Sequence, residues 1–256
     1  MIGGNKNSFI EQAGCSGLHQ DHYNDSITKA MDLKKEAAIK AVSLIQHQQL
    51  VGLGAGSTIA FMVELLTEKK EAGLDIKLLS SSFTTRQLLL QKGFTVLSAT
   101  DVTAIDIYFD GCDQVDKNLH ALKSGGGIHT QEKLLASMAK QFILAGDESK
   151  YVEQFTVAYP LVIEFLPESL RYVPASIQQL FQDVKTVIRI GDKKDGAVIT
   201  ANGNYLLDVW FNTWPELSQI NPLMKKITGV VETSLFYNLA HKAIIAGNDG
   251  VRVVEK

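Results

Sequence analysis

The sequence predicts an α/β protein: a parallel sheet wrapped by helices, with a smaller α+β unit inserted before the chain returns to the first sheet. Three observations predict it. From Leu33 to Gly146, short apolar β-favouring runs alternate with segments of helical spacing, as repeated βα units do. Near Tyr159 the pattern changes to closely spaced strand-like runs with a strong Asn202-Gly203 turn signal. After Gly229 the α/β character returns, with Lys242–Gly247 and Val251–Val254 flanking an Asn248-Asp249-Gly250 turn. The expected division is a polar, loosely held N-terminal extension over 1–30, a larger unit over 31–157 plus 235–256, and a smaller unit over 158–234.

Taken in order, residues 1 to about 28 are rich in Asn, Gln, His and Ser and show no sustained period. From Leu33, apolar residues recur at Ala37, Ala38, Ala41, Val42 and Ile45, a helical spacing that Lys34 and Lys35 open. Leu50-Val51-Gly52-Leu53 reads as a strand, Gly54-Ala55-Gly56 as a turn, and Ser57 or Thr58 as the start of a helix. That arrangement makes an anion site from unpaired N–H groups and the positive dipole end. The turn lacks the GK[ST] lysine of a nucleotide-triphosphate loop. A second strand over Asp75–Leu79 ends in Ser80-Ser81-Ser82 rather than in an acid for an adenosine ribose. Those hydroxyls read either as phosphate or sugar contacts or as a cap for a helix over 84–92. Strands follow at 94–97, 104–110 and 141–146. Beyond Tyr159 come a strand at 161–165, a helix around 177–184, a strand at 186–190, a hairpin over 197–211 and a second helix over 215–227.

The composition narrows the function classes. With 256 residues, 45% hydrophobic and 21% charged, the chain is an ordinary globular protein, large enough for one sizeable core or for one and a half domains. A net charge of −3 gives no electrostatic footprint for nucleic acid. Cys15 and Cys112 form neither a CxxC motif nor a disulfide framework, which fits a reducing cytoplasm. No apolar run is long enough for a membrane span and the polar start does not read as a signal peptide, so the expected location is the cytoplasm. The six histidines show no metal-ligand spacing, no GxSxG element marks a serine nucleophile, and nothing calls for a cofactor.

The chemistry concentrates in Asp110–Glu132, DGCDQVDKNLHALKSGGGIHTQE, read as a connection between a strand and a helix. Asp110 and Asp113 fall at the carboxyl end of a parallel strand, the edge where open α/β sheets bind ligands. Gly125-Gly126-Gly127 reads as backbone N–H groups offered to an anion or as a flexible turn. Lys123 reads as a charge for an oxyanion or phosphate, or as a solvated surface lysine. Thr130 reads as a helix N-cap and His129 as a polar turn residue. Glu132 is then either a base or a first-turn carboxylate favoured by the helix dipole. Asp110, Asp113 and Asp116 lack the calcium-loop pattern, and no metal is expected there.

With these residues assembled, the chain resembles the type A ribose-5-phosphate isomerase family from about Leu33 to Val254. The matching motifs are GLGAGST at 52–58, the serine segment from Ser80, DGCDQVD at 110–116, KSGGGIHTQEK at 123–133, GDESK at 146–150, ITANGNYLLD at 199–208 and GVVETSLF at 229–236. The resemblance implies a Rossmann-like domain carrying a smaller ferredoxin-like domain. It also implies a metal-free, cofactor-free interconversion of ribose 5-phosphate and ribulose 5-phosphate in a homodimer or homotetramer, with a sugar phosphate as the small-molecule partner. It implies Glu132 as the general base, Lys123 as the oxyanion stabiliser, and Asp110 and Asp113 as holders of the sugar and its ring-opening hydroxyl. Ala55, Gly56, Ser57, Thr58, Lys34 and Lys150 would line the substrate site together with Ser124, Gly125 and Gly126. Four positions depart from the family pattern: Ala55 for threonine, Gln114 for glutamate, Ser124 for glycine and Ala201 for aspartate. The competing classes are a non-catalytic sugar-phosphate sensor and a sugar-phosphate deaminase.

Overall fold

The computed structural model describes residues 16–192 and 195–256. Helix α1 (Ser16–Val42) leads into β1 (Leu50–Leu53), α2 (Ser57–Glu71), β2 (Lys77–Ser80), α3 (Phe83–Gln91) and β3 (Ile105–Asp110). Short strands β4 (Gln114–Asp116) and β5 (Ala121–Leu122) precede α4 (His129–Met138), β6 (Ala139–Asp147) and β7 (Tyr151–Val152). Then come β8 (Leu161–Phe165), α5 (Tyr172–Leu180), β9 (Lys185–Ile188), β10 (Tyr205–Trp210), α6 (Leu217–Lys225) and β11 (Val230–Thr233). Strands β12 (Leu235–Phe236), β13 (Lys242–Gly247) and β14 (Gly250–Glu255) close the chain.

The α/β class is as predicted. Six strands form the main sheet in the order β14-β13-β6-β3-β1-β2, with β1, β2, β3, β6 and β13 parallel and β14 antiparallel at the edge. The strands are apolar on both faces because both are covered, as parallel sheets require. One core packs Val51, Leu53, Ile107, Phe109 and Ile143 against α1 and α2, and the opposite one packs Tyr108, Phe142, Leu144 and Ile245 against Leu135 of α4. A second sheet, β11-β8-β10-β9, is antiparallel and carries α5 and α6 over a third core around Ile163, Phe165, Val173, Ile220 and Met224.

Several local expectations change. The first helix, expected from Leu33, begins at Ser16 and takes in the latter half of the segment read as a loose extension. The rest of that extension, with Cys15, lies outside the described residues. The strand expected at 94–97 is reduced to a bridge from Val96 to Leu78. The stretch read as one connection between Asp110 and Glu132 contains β4 and β5, which pair with β7 and β12 in a small third sheet. Strands of two or three residues are too short to show a period, so no pattern announces them.

Candidate active site

The cleft lies at the carboxyl ends of the parallel strands. Three connections meet there: β1 to α2, β3 to α4, and β6 to the 3-10 turn over Glu148–Lys150. At the first, Gly54 is required by contact, since a Cβ there would stand 1.9 Å from Asp110 Oδ1. Gly56 takes φ 103° as the N-cap of α2, a conformation that suits glycine, and no side chain caps the helix. The amide end of α2 therefore faces the cleft, which Ala55, Gly56, Ser57 and Thr58 line. Lys34 of α1 and Lys150 line it as well.

At the second connection, Asp110 ends β3 with no solvent exposure. Its Oδ1 accepts from the N–H of Ala55 at 3.1 Å and of Gly111 at 2.8 Å, while Oδ2 accepts from Tyr108 Oη at 2.7 Å. Tyr108 is itself 3.0 Å from Ser81 Oγ. Lys123 Nζ is 3.0 Å from Asp110 Oδ1, 3.2 Å from Glu132 Oε1 and 2.5 Å from the Gly111 carbonyl oxygen. The lysine is therefore a clamped internal cation rather than a surface charge. Glu132, in the first turn of α4, is only 5% exposed. Asp113 Oδ2 accepts from the N–H groups of Ser124 and Gly125.

Burial governs the electrostatics. It pushes the Glu132 carboxyl up to about 8, helped by the Asp110 charge and opposed by Lys123. The helix dipole, expected to hold this acid down, is outweighed. Burial works against the Lys123 ammonium, but Asp110 and Glu132 outweigh it and hold the lysine above its usual value. Cys112 also lines the cleft, and burial pushes its thiol up to about 12, so it is protonated and unreactive at neutral pH.

Of the residues expected at the site, Glu132, Lys123, Asp113, Lys34, Ala55, Gly56, Ser57, Thr58, Gly125, Gly126 and Lys150 line one cleft of about 360 Å³. Asp110 and Ser124 do not. Asp110 stands behind Lys123, and the Ser124 hydroxyl turns away to donate to the Pro160 carbonyl oxygen. Gly111, Ala145, Gly146 and Asp147 line the cleft too; all but Ala145 fall inside the motifs at 110–116 and 146–150, though none was assigned to the site. Asp147 spends its carboxylate on Ser149.

Two further expectations are corrected. Thr130 does not cap α4; its hydroxyl donates to Glu164 Oε2 on β8. His129 is not a polar turn residue but the fully buried first residue of α4, and burial lowers it to about 4, so its ring is neutral. Glu164 was missed altogether. Its signal was a lone acid inside the apolar run Leu161-Val162-Ile163-Glu164-Phe165, where a buried charge demands partners.

Residues 77–250 match the family described as Ribose 5-phosphate isomerase A (phosphoriboisomerase A). A relative from Methanothermobacter thermautotrophicus named ribose-5-phosphate isomerase A is 36% identical, covering 88% of this chain and 98% of the relative. The ribose-5-phosphate isomerase of Homo sapiens is 37% identical, covering 88% of this chain and 73% of the human protein. Among solved structures, ribose 5-phosphate isomerase A from Methanocaldococcus jannaschii superposes with a TM-score of 0.82 at 33% identity, covering 88% of this chain and 99% of that one. A ribose 5-phosphate isomerase from Plasmodium falciparum superposes at 0.83 with 29% identity, covering 88% and 99%. No helix among the described residues is long and apolar enough to cross a membrane.

Proposed function

The chain belongs to the ribose 5-phosphate isomerase A family, and from that membership we propose that it interconverts D-ribose 5-phosphate and D-ribulose 5-phosphate, with Glu132 as the base. The observation that carries this reading is the approach of Glu132 Oε1 to Lys123 Nζ, 3.2 Å apart in a cleft that also holds Lys34, Lys150 and the amide end of α2.

In the open-chain aldose, the Glu132 carboxylate removes the C2 proton. The C–H electron pair forms the C1=C2 bond and the carbonyl pair moves to O1, where the Lys123 ammonium meets the new charge. The O2 proton passes to O1, C2=O forms, and Glu132 returns its proton to C1. No redox partner is needed. General base catalysis contributes roughly a hundred- to ten-thousand-fold, and a fixed charge at the oxyanion about a hundred- to a thousand-fold. A carboxyl raised to about 8 is basic enough for a carbon acid. Asp113 is assigned the sugar hydroxyl involved in ring opening, and Asp110 acts through Lys123, holding its ammonium beside the base. The phosphate is assigned to the α2 amide end with Lys34 and Lys150. Ala55 offers its N–H rather than a side chain, so the missing threonine hydroxyl leaves the Asp110 anchor intact.

The test is direct: incubate the purified protein with ribose 5-phosphate and follow ketopentose. Binding without turnover would favour a sensor, and turnover only of an amino sugar phosphate would favour a deaminase. The homodimer or homotetramer implied by the resemblance belongs to the same proposal and is tested by light scattering.

A further inference from the structure

We propose that Arg189, a residue of the antiparallel sheet, is a positioning residue for this reaction: it sets the peptide planes of the glycine loop so that their N–H groups face Asp113 and the cleft. The inference rests on the isomerase reading for its kinetic consequence but not for its structural one. Arg189 follows β9, with a side chain only 19% exposed. Asp208 of β10 anchors it, with Nε 3.1 Å from Oδ1 and 3.3 Å from Oδ2, and Nη2 2.6 Å from Oδ1. So anchored, Nη2 donates to the Ser124 carbonyl oxygen at 2.9 Å and Nη1 to that of Gly125 at 3.2 Å.

Those two carbonyls decide where the next two N–H groups point. In a trans peptide the C=O of one residue and the N–H of the following residue are antiparallel. A hold on Ser124 O therefore aims Gly125 N–H the opposite way, where it meets Asp113 Oδ2 at 3.0 Å. By the same geometry, a hold on Gly125 O aims Gly126 N–H away from Arg189, and Gly126 lines the cleft. Glycine peptides reorient at little steric cost, so this order must be imposed from outside. A planar fork reaches both carbonyls and Asp208 together, which a lysine point charge does not.

The test compares Arg189→Lys and Arg189→Met with the native chain by amide hydrogen exchange over residues 123–128 and by isomerase kinetics. Should Arg189→Met fail to fold, Arg189→Lys and Asp208→Asn, which leaves the guanidinium but weakens its anchor, decide the matter. Exchange in the loop is expected to rise at least tenfold, with little change in β8 and β10. The value of kcat/KM is expected to fall about 10- to 100-fold, as a small misplacement of a binding group does. In an Asp113→Asn background the kinetic effect of Arg189→Lys should shrink, because both changes cut one link; a general loss of stability would leave it undiminished. Unchanged loop exchange and unchanged kcat/KM in folded Arg189→Lys would overturn the proposal. A native chain inactive on ribose 5-phosphate would instead sink the isomerase reading, while exchange in the loop would still judge the hold of Arg189.

Discussion

Lys123 Nζ lies 3.2 Å from Glu132 Oε1, and neither side chain is more than 7% exposed. The same ammonium is 3.0 Å from Asp110, so one buried cation serves two buried carboxylates. Asp110 has three other donors, from Ala55, Gly111 and Tyr108. Burial raises the Glu132 carboxyl, the Asp110 charge adds to it and Lys123 offsets the two only in part, which is how a first-turn acid comes to be a stronger base than its position on the helix would allow.

Replacing Glu132 by glutamine should remove at least 99.9% of turnover, a loss on the order of a thousandfold, while the affinity for a substrate analogue changes only a few-fold. It should also stabilise the protein in base. The folded carboxyl sits near 8, above its ordinary value of 4.5, so between those values the folded state binds more protons than the unfolded one. Native stability then falls as pH rises through that window, and the glutamine variant escapes the loss. A variant that melts below the native protein at pH 9, or that keeps native turnover, would contradict this.

The pH profile follows from the same group. For the free enzyme, kcat/KM should rise with pH and level off above about 8, as Glu132 loses its proton. Lys123, held above its usual value, stays charged throughout. A profile flat from pH 6 to 9, measured with substrate well below KM, would exclude Glu132 as the titrating base.

Lys123→Met should damage both activity and stability. Without the ammonium, turnover falls about a hundred- to a thousandfold. Asp110 and Glu132 are left as two buried acids with no cation, at a cost of roughly 3–5 kcal/mol. Because Lys123 is what lowers the Glu132 carboxyl, its removal should also move the acid limb of any residual activity to higher pH. Thermal melts and the residual pH profile check the two parts separately.

Much of this site was legible because its residues are close in sequence. The strand ending at Asp110, the glycine turn before α2 and the run from Lys123 to Glu132 each carry local signals, and the structure brings them to one sheet edge. The departures proved legible only in place. Gln114 bonds Thr156, Ser124 bonds Pro160, and Ala201 sits in an exposed turn, so none of these three presents an altered side chain to the cleft. What stayed hidden depends on contacts between distant segments. Arg189 meets Ser124 across 65 positions and Thr130 meets Glu164 across 34. No periodicity encodes such pairs, although each of the two charges stood out inside a strand-like run.

The two glycines of the first turn should behave differently. Gly54→Ala drives a Cβ to 1.9 Å from Asp110 Oδ1 and 2.0 Å from its Cγ, so the carboxylate must leave its four partners. That variant should misfold or lose activity outright. Gly56→Ala meets nothing within 4 Å and suffers only its backbone, φ 103° and ψ 175°, a region almost reserved for glycine, at a cost of roughly 1–3 kcal/mol. Equal melting temperatures for the two variants would refute the contact argument.

Glu164 should prove a structural acid that acts on the site through α4. Its Oε1 accepts from Thr200 Oγ1 at 2.9 Å, Asn202 Nδ2 at 2.9 Å and Asn204 Nδ2 at 2.7 Å, while Oε2 accepts from Thr130, two residues before Glu132. Burial pushes the carboxyl up, but these four donors together hold it below its ordinary value. The sign is therefore opposite to that of Glu132. The stabilisation is fully present above pH 4.5 and is lost as pH falls through the lower folded-state value. Glu164→Leu strands four donors, of which the buried Thr200 and Asn204 cost about 1–3 kcal/mol each if left unpaired, and should abolish folding at 37 °C. Glu164→Gln keeps the shape but presents an amide N–H₂ to a hydroxyl or amide donor. It should melt lower than the native protein at pH 7 and converge with it near pH 3, and its kcat should fall as the first turn of α4 loosens. A glutamine variant with native kcat and a constant deficit at both pH values would show that this carboxylate neither carries charge in the fold nor steadies the base.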